Sequence, residues 1–297
     1  MSTVNSKRIY ITGCGGMLGE AFHTHLKSYS NFFAGDIDIN DTFLNYCDVR
    51  DLALLHRQIT KYNPDIVCNL AAITDLEYCE SHPDEAVNTN TIGALNVLSV
   101  CRDLNIPIVH ISTAGVFDGN QHSYHELDIP NPINVYGRTK LDAERILQEY
   151  PKHYIFRAGW MMGGGPKKDK KFVNKFIKKV QAGATRIDVV DDKVGTPTYT
   201  YDLVNNIFKV IDSETYGLYH SVCSGSASRY DVAELILREL QFNHVSLNKI
   251  QTKDIVREFP VERPASERLL TNKLKELDLY TMRDWETCLK EYLYQWK

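Results

Sequence analysis

Three glycines spaced three apart, Gly13, Gly16 and Gly19, stand between an apolar run and an amphipathic one, and no other feature constrains the fold of this 297-residue chain as much. Arg8-Ile9-Tyr10-Ile11-Thr12 reads as a strand. Beyond the loop, Leu18, Ala21, Phe22 and Leu26 fall on one side of a helix. In that setting the first glycine permits a tight turn, the second lets the backbone approach a pyrophosphate, and the third allows helix and strand to pack closely. The free amides of the helix N-terminus then face the phosphates. Gly13, Gly16, Met17, Leu18 and Gly19 are therefore candidate dinucleotide contacts. The competing reading is a glycine-rich turn that holds no ligand.

The same alternation continues downstream. Phe32–Asp36, Asp65–Leu70, Ile108–Ser112 and Tyr154–Arg157 read as strands, and a long helix runs from Asp84 to Leu104. Their apolar residues do not alternate with polar ones, as expected of strands buried on both faces. Strand and helix in turn predict an α/β fold with a doubly wound parallel sheet over residues 1–160. A smaller C-terminal α/β lobe over 161–297 is expected to bind substrate, with parts of 185–222 returning to the main sheet. The lobe opens on Gly163–Lys171, a stretch expected to be a flexible basic loop, either a pyrophosphate clamp or a solvated charge run.

Composition narrows the possibilities. A formal net charge of −4 gives no reason to expect a nucleic-acid partner, and no apolar run approaches the roughly 18 residues of a membrane helix. The N-terminus lacks the apolar core of a signal peptide. Seven scattered cysteines without a Cys-x-x-Cys fit a reducing cytoplasm rather than disulfides or zinc, and no carboxylate cluster reads as a metal site.

Chemistry concentrates further along. Of the 17 tyrosines, only Tyr136 has a lysine, Lys140, four positions on. On a helix that spacing puts both side chains on one face, where the ammonium is expected to favour the phenolate and bring Tyr136 below its usual pKa of about 10. Thr113 offers a hydroxyl at the end of an apolar strand. Together with the glycine loop, these are the parts of a nicotinamide-dependent carbonyl reductase. Asp36 ends the second strand, 17 residues after Gly19, where a carboxylate accepts from adenosine ribose hydroxyls. It also reads as an ordinary turn residue. No lysine or arginine lies between Asp36 and Arg50, which favours NADH over NADPH. Asp48 and Val49 are placed to cover the adenine, and Ala71 and Ala72 to line the cofactor or simply to pack.

The glycine loop, Asn69-Leu70-Ala71-Ala72, Ser112-Thr113-x-x-Val116-Phe117-Asp118-Gly119 and Asn134-Val135-Tyr136-Gly137-Arg138-Thr139-Lys140 occur in that order. Phe156-Arg157-x-x-Trp160, Gly195-Thr196-Pro197-Thr198 and Arg263-Pro264 with Arg268-Leu269 follow. In these motifs the chain resembles the extended short-chain dehydrogenase/reductases, and within them the dTDP-4-dehydrorhamnose reductase family, nearly end to end. The resemblance implies a Rossmann-like fold and NAD(P)H-dependent reduction, at C4, of a nucleotide-diphospho-4-keto-6-deoxysugar, with dTDP-4-dehydrorhamnose going to dTDP-L-rhamnose as the leading case. Tyr136 would supply the proton, Thr113 a hydrogen bond to the same oxygen, and Lys140 would hold the nicotinamide ribose. Leu76, Trp160 and Arg268 would meet the substrate, although Trp160 reads equally as a core aromatic. Family members are often dimeric, so a homodimer is a further expectation.

Two departures stand out. Ala114-Gly115 replaces the family's usual Asp-Tyr, whose tyrosine lies close to the sugar, so the hexose is expected to differ; the second is Glu267, where serine is usual. Ala114-Gly115 also lacks the acidic pair of a 4,6-dehydratase. A related epimerase, or a non-catalytic nucleotide-binding regulatory subunit, remains an alternative at this stage.

Overall fold

Fourteen strands were assigned in the computed structural model, which describes residues 6–28, 31–255 and 260–297. They are β1 (Ile9–Thr12), β2 (Phe32–Asp36), β3 (Asn45–Tyr46), β4 (Ile66–Asn69), β5 (Ile108–Thr113), β6 (His153–Ala158), β7 (Trp160–Met162), β8 (Arg186–Val190), β9 (Val194–Gly195), β10 (Pro197–Tyr199), β11 (Gly217–His220), β12 (Ala227–Ser228), β13 (Ser246–Ile250) and β14 (Ser266–Glu267). Seven form one parallel sheet in the order β3-β2-β1-β4-β5-β6-β11. The order reverses between β1 and β4. The crevice beyond their C-terminal ends is the place where doubly wound sheets bind nucleotides.

The apolar runs explain why the sheet is sandwiched. In β1, Ile9 and Ile11 face one core with Phe22, Leu203 and Ile207. Tyr10 faces the other with Leu55, Val97 and Leu147. Both faces are therefore covered by helices, as a parallel sheet requires. Helix Met17–Leu26 turns Leu18, Ala21, Phe22 and Leu26 inward.

The second half builds three small sheets, β7 with β10, β8 with β13, and β12-β9-β14. Strand β11 leaves that half to flank β6. Gly163–Lys171 differs from the flexible basic loop expected of it. It forms a short helix, Gly165–Lys168, in which Lys168 is buried. Lys168 Nζ lies 3.2 Å from Glu20 Oε2 and 2.5 Å from Asp41 Oδ2, and Lys167 Nζ lies 2.8 Å from Asp41 Oδ1. Carboxylates from elsewhere in the chain hold both cations, Lys168 in the interior and Lys167 at the surface.

The expected helix from Asp84 to Leu104 carries a break in its register. Pro83–Ala86 is α-helical, Val87–Ile92 winds as a π-helix, and Gly93–Asp103 is α-helical again. All seven cysteines are free and buried. Asp202, Cys223 and Cys288 cluster among the described residues, but Arg283 already holds the Asp202 carboxylate, at 2.6 Å from Nη2. No helix of the described residues is long and apolar enough to cross a membrane.

Candidate active site

Helix Val135–Gln148 carries the candidate pair, Tyr136 and Lys140. Asn134 caps it, its Oδ1 accepting from Gly137 N–H at 2.9 Å. Gly137 is required for the approach to the turn after β5, because a Cβ there would lie 2.2 Å from the Gly115 carbonyl oxygen. Tyr136, Lys140 and Glu144 follow at intervals of four and so form one row along the helix. Glu144 ends the row in a buried pair with Arg157 of β6, at 2.6 Å from Nη2 and 2.9 Å from Nε. From the other side, Asn90 in the π-helical turn donates to Thr139 Oγ1 at 3.0 Å and brackets Ile73, accepting from its N–H and donating to its carbonyl.

Beneath Lys140 lies a polar chain through the sheet. Lys140 Nζ is 3.1 Å from His110 Nε2, His110 Nδ1 is 3.3 Å from Asn69 Nδ2, and Asn69 Oδ1 accepts from the Thr12 hydroxyl at 2.7 Å. Thr12, Asn69 and His110 are register partners on three adjacent strands, all buried. Burial and the neighbouring lysine hold His110 well below its usual pKa, so it is neutral. Burial lowers Lys140 to about 8, against the pull of Glu144.

Tyr136 behaves differently from the sequence expectation. Part of its surface stays open, yet burial of the phenol pushes it up to about 12, while a side-chain hydrogen bond with Thr113 draws it down. Lys140 reaches back to His110, and desolvation outweighs any help its charge gives the phenolate. At neutral pH the phenol keeps its proton.

The glycine loop lies across the strand ends. Gly13 has φ 70°, and a Cβ there would come within 2.4 Å of the Ala71 backbone. Gly16 is exposed with nothing near its Cβ position, and Met17 opens the helix while Leu18 is buried in the core. Asp36 Oδ2 accepts from Gly15 N–H at 2.7 Å, which ties the end of β2 to the loop. Ala71 and Ala72, partly buried, follow β4 beside it. Asp48 is gripped by Arg50, at 2.8 Å from Nη2. Val49 is buried in the second core, with its carbonyl accepting from Asn96 at 3.0 Å.

The opposite wall gathers around Trp160. Its indole N–H donates to Glu267 Oε2 at 2.6 Å, and the Arg229 guanidinium lies 3.7 Å from the ring centroid. The three-stranded β12-β9-β14 sheet makes this assembly possible, since Arg229 follows β12, Gly195 ends β9 and Glu267 ends β14. Leu76 is half-buried at the start of helix Leu76–Ser81, and Glu77 beside it pairs with Arg263 at 2.7 Å. Arg268 donates from Nη1 to the His122 carbonyl at 3.1 Å.

Residues 7–297 match the family described as the RmlD substrate binding domain. The chain belongs to that family. A dTDP-4-dehydrorhamnose reductase from Mycolicibacterium smegmatis is 31% identical over 97% of this chain and 85% of its own length. A dTDP-4-keto-6-deoxy-D-glucose reductase from Streptomyces niveus is 31% identical over 96% of each. Among solved structures, a dTDP-4-dehydrorhamnose reductase from Bacillus anthracis in complex with NADP is 28% identical and superposes with a TM-score of 0.87 over 97% of this chain and 99% of that one.

Sequence reasoning missed His110, Asn90 and Arg229. His110 left a trace as the one polar residue in Ile108-Val109-His110-Ile111. Arg229 left none, because nothing local to it points at Trp160.

Proposed function

We propose that this chain reduces the C4 ketone of a nucleotide-diphospho-4-keto-6-deoxysugar with NAD(P)H, dTDP-4-dehydrorhamnose to dTDP-L-rhamnose being the leading case. The observation that carries the reading is one row of side chains, Tyr136 close enough to Thr113 to feel its hydroxyl and Lys140 one turn on, with a glycine loop at the β1–β4 crevice. Membership of a family whose named members are reductases of such sugars supports it.

The chain's own residues fit a dinucleotide. The exposed amide at Gly16 and the helix that starts at Met17 suit the phosphates. Asp36 suits the adenosine ribose, and Ala71 and Ala72 the face of the crevice. When bound, the cofactor supplies the hydride. Charge then builds on the ketone oxygen, and Tyr136, still protonated, donates to it while Thr113 donates a hydrogen bond. The Lys140 cation offsets the phenolate left behind. Residues 161–297, apart from β11, would hold the sugar, with Trp160 and Leu76 at its wall. Asp36 favours NADH, because no lysine or arginine lies between it and Arg50.

Cofactor oxidation with dTDP-4-keto-6-deoxysugars tests the reading. Tyr136→Phe should lower turnover by about 100-fold or more and leave cofactor binding intact. Equal turnover in the variant would refute the assignment, and a preference for NADPH at matched concentration would refute the role given to Asp36.

A further inference from the structure

Glu267 gives the sugar wall a charge that the reaction above leaves unused. The bond from Trp160 to Oε2 fixes the carboxylate. Oε1 faces the turn after Thr113: a Cβ built on Gly115 would lie 3.9 Å from Glu267 Oε1 and 3.4 Å from Thr113 Oγ1. The hydroxyl expected at the ketone and this carboxylate thus wall the same small space, and the absence of a side chain at Gly115 keeps it open. Its charge is felt by the Tyr136 phenol. Arg229, Arg263 and Lys193 supply balancing positive charge from the far side.

We propose that Glu267 determines specificity by accepting, across the space left by Gly115, a hydrogen bond from a hydroxyl or ammonium on the carbon next to the sugar ketone. The inference rests on the reductase reading. A partly buried carboxylate oxygen loses its remaining water when a sugar enters, and it needs a donor in return. A methyl or a bare hydrogen there would leave it unmatched, whereas a site built to bond a donor discriminates strongly against the analogue that lacks one. Glu267 reaches this place because β14 pairs with β9, next to the strand that Trp160 leans on.

The test compares kcat/KM on three probes: dTDP-4-dehydrorhamnose, its 3-deoxy analogue and its 3-amino-3-deoxy analogue. The wild type should prefer a donor-bearing sugar over the 3-deoxy one by about 100-fold or more, and whether hydroxyl or amine wins identifies the donor. Glu267→Ala should cut that preference to about tenfold or less. Glu267→Gln keeps an acceptor for the indole but loses the charge, and it should reduce preference for the amine more than for the hydroxyl. Gly115→Ala fills the space at ordinary contact distances and should cost the donor-bearing sugars most, with an unchanged melting temperature. An unaltered preference in the variants, or an equal loss on all three sugars, overturns the proposal while the reductase reading stands. Turnover of none of the three by the wild type brings down both.

Discussion

Lys140 sets the pH response of the site, because its proton leaves near neutrality while that of Tyr136 does not. Lys140 sits at about 8 and Tyr136 at about 12. Below pH 8 the ammonium is present to offset the developing phenolate. As pH rises through 8 it is lost, and Tyr136 remains protonated throughout. We expect kcat/KM to fall on the alkaline side with an apparent pKa near 8, and a flat profile to pH 10 would contradict it. Stability runs the opposite way: the folded value lies below the ordinary lysine value of 10.5, so the unfolded chain binds the extra proton between these limits and Lys140's cost to stability is relieved as pH climbs from 8. The identities of Thr113, Tyr136 and Lys140 were legible in the chain because local spacing carries them. The direction of the Tyr136 shift was not, since burial is decided by segments far away.

At the scale of elements, the helix Val135–Gln148 is anchored by a buried ion pair. Arg157 holds Glu144 through two nitrogens and lies 5.1 Å from the Phe117 ring centroid. Removing one partner strands a charge in the interior. Arg157→Ala should cost about 3–5 kcal/mol of stability, measured by denaturant unfolding. Replacing both residues with apolar ones of similar volume should recover much of it. Central strands were legible because their apolar runs are long and unbroken. Strand β3 was not: its two residues, Asn45 and Tyr46, are exposed and carry no pattern. The π-helical turn was equally silent, since Val87–Ile92 differs from an α-helix only in which carbonyl each amide chooses, although it aims Asn90 at Ile73 and Thr139.

Across the whole molecule, the segment after β7 is bound to the N-terminal half as well as to its own, where Tyr292 donates to Gly163 and Asp169. Lys168 bridges Glu20 of the glycine-loop helix and Asp41 beyond β2, and Lys171 donates to Thr74 Oγ1 at 3.0 Å. Lys168→Ala should therefore weaken dinucleotide affinity as well as lower the melting temperature. We expect about tenfold in Kd, a cost of about 1.4 kcal/mol, by titration. An unchanged Kd would show that the bridge serves stability alone. Such contacts join residues 97 or more positions apart and are invisible to spacing and periodicity. The Trp160–Glu267–Arg229 group is invisible for the same reason, being assembled by two-residue strands.

Strand β11 bears on how this protein can be divided. Gly217–His220 lies against β6 as the outermost rung of the sheet, although the strands on either side of it in sequence belong to the small sheets. A fragment ending near residue 160 would carry every glycine-loop and Tyr-Lys residue, yet it would bare the amides and carbonyls of β6 as an unprotected edge, an invitation to self-association. Grafting a foreign sugar lobe onto this chain must therefore bring a replacement for that strand, and lineages that trade substrate preference are constrained to alter the lobe around it.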